Sequence, residues 1–160
     1  MRNLVFILFL SIASCGIYSF SGSSIPSHMK TIEIPLFENG ALVQGVAEDL
    51  TDAVTSRVQK EKLKIVAREG NATIHGQVTN YSNTAYDYSG NRGNLNVKTY
   101  SVDITCKIIF TDNIDKKELY NGTVSGKGIY NFETETEDVG RKRAVADISE
   151  KIMMNSLQGW

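Results

Sequence analysis

The chain has 160 residues, 17 basic against 18 acidic, and a formal net charge of −1. That balance excludes the strong basic excess of a nucleic-acid binder, so no nucleic-acid partner is expected. The length is that of one domain with a real core rather than of a multidomain protein.

The first element is a leader. Met1-Arg2-Asn3 gives a small positive start, Leu4 to Leu10 an unbroken apolar run, and Ser11 to Ser14 the small residues of a cleavage site. This is the order of a secretory signal peptide, and the apolar run falls short of the ~20 residues that span a bilayer. Ile12-Ala13-Ser14-Cys15 resembles a bacterial lipobox, whose Cys thiol is diacylated, with palmitate as a typical chain, and whose new amine is acylated after the cut. Each buried CH₂ contributes about 0.8 kcal/mol, so two or three chains hold stably where one does not. Gly16, not Asp, follows Cys15, which by resemblance to lipoprotein sorting rules favours the outer membrane, periplasmic side. The expected organisation is a signal peptide over 1–14, a lipid anchor and Ser/Gly/Pro tether over 15–28, and a single domain over 29–160.

The domain opens with a strand in "MKTIEIPLFEN", where Ile32, Ile34 and Leu36 alternate with Thr31, Glu33 and Pro35. Pro35 removes a ladder donor and belongs at an edge or a strand end. From Ala41 the period changes: Leu42, Val46, Leu50, Ala53, Val54 and Val58 share one face of a helix. "KLKIVA" is a short strand, and Arg68 to Asn71 turns it. "ATIHGQVTNY" follows, then a polar tip from Ser82 to Asn94 carrying Tyr86, Tyr88 and Arg92. "VKTYSVDITCKIIF" returns with Tyr100, Val102, Ile104, Cys106, Ile108 and Phe110 on its apolar face. A hairpin turn leads to "ELYNGTVSGKGIYNF", and an acidic stretch, Glu133 to Asp138, precedes a last helix. Thr134 and Glu137 have capping-box spacing at its start. The order β-α-β-β-β-β-α predicts an α+β two-layer sandwich: a mixed four- to five-stranded sheet with two helices on one face. The first β-α-β is a parallel crossover and the remaining strands are meander hairpins.

No enzyme signature emerges, and neither a cofactor nor a metal site is expected. His28 and His75 lack partners at metal-ligand spacing, and alternation puts His75 on an outward face. "GTVSGKG" lacks the strand-to-helix context of a phosphate loop, so its glycines mark close packing. Cys106, without a partner, is expected to be buried and inert. Glu133, Glu135, Glu137 and Asp138 suit a helix N-terminus. On the surface, Tyr offers amphipathic contact area and Arg suits phosphate.

Taken in order, these pieces resemble the LPS-assembly lipoprotein LptE family. The resemblance rests on Cys15-Gly16-Ile17-Tyr18-Ser19-Phe20, Ile25-Pro26 leading into "HMKTIEIPLFEN", "EDLTDAV", "ATIHGQV", "YSVDITCKIIFTD" and the terminal helix. It implies a non-enzymatic outer-membrane lipoprotein that plugs and supports an LptD-like β-barrel and contacts lipopolysaccharide. On that reading the tip enters the barrel lumen, Tyr86 and Tyr88 are contacts to the partner, and Arg92 and Lys98 are candidates for lipopolysaccharide phosphates. The alternatives are a binding or scaffolding lipoprotein of another envelope assembly machine and an envelope hydrolase.

Overall fold

A computed structural model of the chain describes residues 26, 28–89 and 96–157. The leader, Cys15, most of the tether and Arg92 lie outside them. The elements are β1 (Thr31–Glu33), β2 (Glu38–Asn39), α1 (Val46–Lys60), β3 (Lys64–Val66), β4 (Ala72–Ser89), β5 (Asn96–Asp112), β6 (Lys117–Asn131) and α2 (Glu137–Leu157). They form an α+β sandwich. One mixed sheet runs β3-β1-β4-β5-β6, with β2 also on β4, and both helices cover the face that carries Ile74, Ile104, Ile108 and Val124. The opposite face, with His75, Lys107 and Thr123, is exposed.

Six strands appear instead of four or five because the opening strand is broken at Pro35. Glu33 and Glu38 are five positions apart, but their β4 partners Thr73 and Gln77 only four. The extra residue flips every side chain after it. Leu36, expected on the apolar face, is 63% exposed, and Phe37 is buried instead. The Phe37 ring lies on Gly76, where a Cβ would overlap it, and the Phe37 N–H donates to Thr51 Oγ1 on α1 at 3.0 Å.

The first helix starts later than its periodicity suggests. The Asn39 side chain donates to the Val43 carbonyl at 2.8 Å and accepts the Val43 N–H at 3.3 Å, which holds this stretch in a turn. Leu42 takes φ 57 and is 89% exposed, not on the helix face. Gly45, at φ 80, supplies the left-handed turn before Val46. Leu50, Val54 and Val58 are fully buried as the pattern requires.

β1 and β3 are parallel, as expected of the crossover, but β3 and β4 are not a hairpin. β1 lies between them and is parallel to both. The short link over 67–71 steps across the end of β1. Gly70 passes so close to the Glu33 backbone that a Cβ would lie 2.6 Å from its nitrogen. Asn71 pins the crossing: its Oδ1 accepts the N–H groups of Lys30 and Thr31, and its own N–H donates to Thr31 Oγ1.

β4 and β5 pair from Ala72↔Asp112 to Ser89↔Asn96, so much of the stretch expected as a polar tip is ladder. Backbone pairing does not need apolar side chains, and bulges absorb the irregularity. The first, between Val78 and Asn80, shifts the alternation so that Tyr81 pairs with Ile104 on the helix face. On β6 the glycines serve close packing: a Cβ at Gly126 or Gly128 would collide with Ala144, Ile148 or the Gly140 carbonyl of α2.

Candidate functional site

The sheet outruns its helices. α2 begins at Glu137, while β4 and β5 continue to Ser89 and from Asn96, so among the described residues no helix lies above the helix-facing surface of the hairpin root. Asn83, Tyr100, Tyr130 and Phe132 stand there. With Thr136 and Glu137 at the start of α2 they line a bowl of about 480 Å³. Tyr130 is packed under α2, against Gly140. Tyr100 lies 5.9 Å from the Tyr130 ring and 5.5 Å from that of Phe132, tilted 46° to the latter. Phe132 is 64% exposed and is held by its N–H to the Lys98 carbonyl at 2.9 Å.

Each carboxylate of the acidic stretch has a partner near this bowl. Glu135 accepts two hydrogen bonds from Arg143, at 2.6 and 2.9 Å, and the Asn131 N–H at 3.0 Å. The bonds from Arg143 hold its carboxyl down to about 2. Glu137 Oε1 accepts the Tyr81 hydroxyl at 2.6 Å. Burial, reinforced by that bond, pushes the Tyr81 phenol above its ordinary range. Asp138 pairs with Arg141 and Glu133 with Lys98. The capping box is not formed: α2 starts at Glu137 itself, and Glu137 is committed to Tyr81 rather than to the backbone of Thr134.

Of Tyr86, Tyr88, Arg92 and Lys98, the described side chains are those of Tyr86 and Lys98. Tyr86 is exposed, and Lys127 Nζ lies 5.5 Å from its ring centroid, with Lys127 also 3.5 Å from Asp103. Tyr88 sits on β4 opposite Val97, with its side chain outside the described atoms. Arg92 lies outside the described residues altogether. Lys98 is exposed and faces Glu133 at 3.5 Å. The aromatic bowl itself was missed from sequence. Tyr100 and Tyr130 read as ordinary strand residues, and what makes them a site is where α2 begins.

Two other clusters are notable. His28 Nε2 meets Asp112 Oδ2 at 2.6 Å across a sequence separation of 84, and with Asp115 forms a group able to hold a metal ion. Asp112 Oδ1 already accepts the N–H groups of Ile114 and Asp115, so the carboxylate acts as a joint between the chain entry and the β5–β6 turn. Cys106 is fully buried on β5. Burial pushes its thiol up to about 12, only partly opposed by a backbone hydrogen bond from Gln77. No helix among the described residues is long and apolar enough to cross a membrane.

The chain matches the family model described as "LptE: Lipopolysaccharide-assembly" over residues 29–156. No curated protein matches it. Among solved structures it is similar to protein XCC0632 of Xanthomonas campestris, with TM-score 0.52, 13% identity and coverage of 80% of this chain and 86% of that one. It is also similar to the hypothetical protein CT253 of Chlamydia trachomatis, with TM-score 0.51, 7% identity and coverage of 78% and 96%. The rare lipoprotein B of Shewanella oneidensis gives TM-score 0.49, 12% identity and coverage of 78% and 91%. At these identities the likeness shows the fold alone.

Proposed function

The chain belongs to the LptE lipopolysaccharide-assembly family, and from that premise we propose that it is a lipoprotein of the outer membrane, anchored through Cys15, that plugs and supports an LptD-like β-barrel and contacts lipopolysaccharide. The role is structural and not enzymatic. The observation that carries it is the extent of the family match, which takes in every strand and nearly all of α2.

The hairpin suits the task. Its two strands are paired through Ser89↔Asn96, and the mostly polar sequence of residues 90–95 suits a water-filled lumen rather than hydrocarbon. Tyr86 and Tyr88 are the proposed barrel contacts, and Arg92 and Lys98 the proposed phosphate partners. Lys98 must exchange Glu133 for the phosphate, which reduces its net contribution. Co-purification of a large β-barrel under mild detergent tests the core of the proposal. Tyr86→Ala with Tyr88→Ala weakens that association, and Arg92→Ala with Lys98→Ala weakens lipopolysaccharide binding, more at low salt than at high. Wild-type behaviour of both double variants removes the hairpin from the contact surface. Cys15→Ala abolishes membrane attachment in fractionation while the circular dichroism of the domain is kept; persistent attachment without the partner refutes the anchor.

A further inference from the structure

We propose that the aromatic bowl at the hairpin root is a carbohydrate subsite that stacks a pyranose ring on Phe132 and Tyr100. The proposal deepens the lipopolysaccharide-contact reading and rests on it only for the identity of the natural sugar.

The first argument is the exposure of Phe132. A large ring left 64% exposed in a fixed position, bonded through its own N–H to β5, is not serving the core. The second is the continuous aromatic wall. Tyr100 and Phe132 are in contact, 5.5 Å between ring centroids and tilted by 46°, so side by side they offer one broad apolar surface to a flat guest. Tyr130, locked by its contact with Gly140 and its hydroxyl bond to Asn83, buttresses Tyr100 from below. The third is the polar rim. Glu137 spends Oε1 on Tyr81, and Oε2 has no hydrogen bond among the described residues. The Thr136 hydroxyl is likewise without one, and the Asn83 amide is only partly engaged.

The chemistry of this set selects its guest. A bowl of about 480 Å³ is large enough for a sugar ring and its neighbour. A pyranose presents an apolar C–H face to an aromatic wall and a belt of hydroxyls to carboxylate, hydroxyl and amide. Phosphate is disfavoured by the carboxylates of Glu135 and Glu137, which line the bowl. An acyl chain gains nothing from the polar rim and would strip the hydration from Glu137.

The test is a titration of the full-length protein with lipopolysaccharide core oligosaccharide that has been delipidated and dephosphorylated, followed by tyrosine fluorescence or NMR. Tetramethylammonium serves as the cation control, since rings beside carboxylates also suit a cation. Wild type binds the oligosaccharide in preference to the cation. Phe132→Leu, which keeps apolar volume but loses the ring, weakens that binding about tenfold with an unchanged melting temperature. Glu137→Gln also weakens it. Equal affinity of wild type and Phe132→Leu, no oligosaccharide binding, or binding of the cation alone overturns the proposal. Failure of barrel association with intact oligosaccharide binding refutes the proposed function and leaves this site standing; the reverse pattern refutes the site alone.

Discussion

Asp147 Oδ2, on α2, accepts the backbone N–H of Lys127, on the outer edge of β6, at 2.8 Å. One turn to either side the helix repeats the device. Arg143 donates to the Ile129 carbonyl at 2.7 Å and Lys151 to the Ser125 carbonyl at 3.0 Å. Residues 143, 147 and 151 form one stripe of the helix, and 125, 127 and 129 are the outward-pointing residues of the edge. The stripe therefore does for β6 what another strand would do. An uncapped edge is a template for pairing with another chain. Arg143→Ala with Asp147→Ala and Lys151→Ala is expected to cause concentration-dependent association, read by sedimentation. A triple variant that sediments as wild type does at every concentration shows the capping to be incidental.

Gly128 sits where α2 presses on the sheet, and a Cβ there would overlap the Gly140 carbonyl and Arg143 Cβ. The nearest atoms, the Gly140 carbonyl and the Ala144 nitrogen, are helix backbone, which cannot yield by changing rotamer. Gly128→Ala is expected to cost about 2–3 kcal/mol in denaturant unfolding, against less than about 0.5 kcal/mol for Thr123→Ala on the open face. Equal costs would place the helix farther from the strand than described.

The Cys106 thiol, buried between Ile104 and Ile108 and raised to about 12 by that burial, should react slowly in the native protein. Labelling with a small maleimide is expected only on unfolding, with a rate that follows denaturant. Rapid native labelling contradicts the packing of β5.

How much of this was legible in sequence depended on range. Local periodicity placed Leu50, Val54 and Val58, and the alternation of β5, correctly, because those signals need only a few neighbouring residues. It misplaced Leu36 and Leu42, where one extra residue at Pro35 and the Asn39 bonds to Val43 override local pattern. The β1 position between β3 and β4, the His28–Asp112 pair and the aromatic bowl were invisible. Each joins residues tens of positions apart, and no spacing rule encodes where a helix begins over strands so far away in the chain.

Asp112 supplies a pH dependence. Burial raises its carboxyl, but hydrogen bonds from His28, Asp115 and Ile114 together outweigh that and hold it below its ordinary value of 3.8. A lowered folded-state value stabilises the native state fully above the ordinary value, and the contribution is lost as pH falls through the folded one. Between about pH 6 and pH 3 the wild type should lose more stability than Asp112→Asn, which lacks the titrating group. Parallel losses in urea titrations at the two pH values assign the acid sensitivity elsewhere.

The placement of β1 has a mechanical consequence. A pull directed along the β1 axis from its N-terminal side meets Thr31 first. There β1 is flanked on both sides by parallel neighbours, β3 and β4, and the Gly70 crossing closes over its far end. Its hydrogen bonds are thus loaded together in shear, not opened one at a time like a zip. Upstream, the His28–Asp112 contact takes strain before the ladder does. A domain held at this end would resist detachment of its first strand by force far better than three residues of pairing suggest.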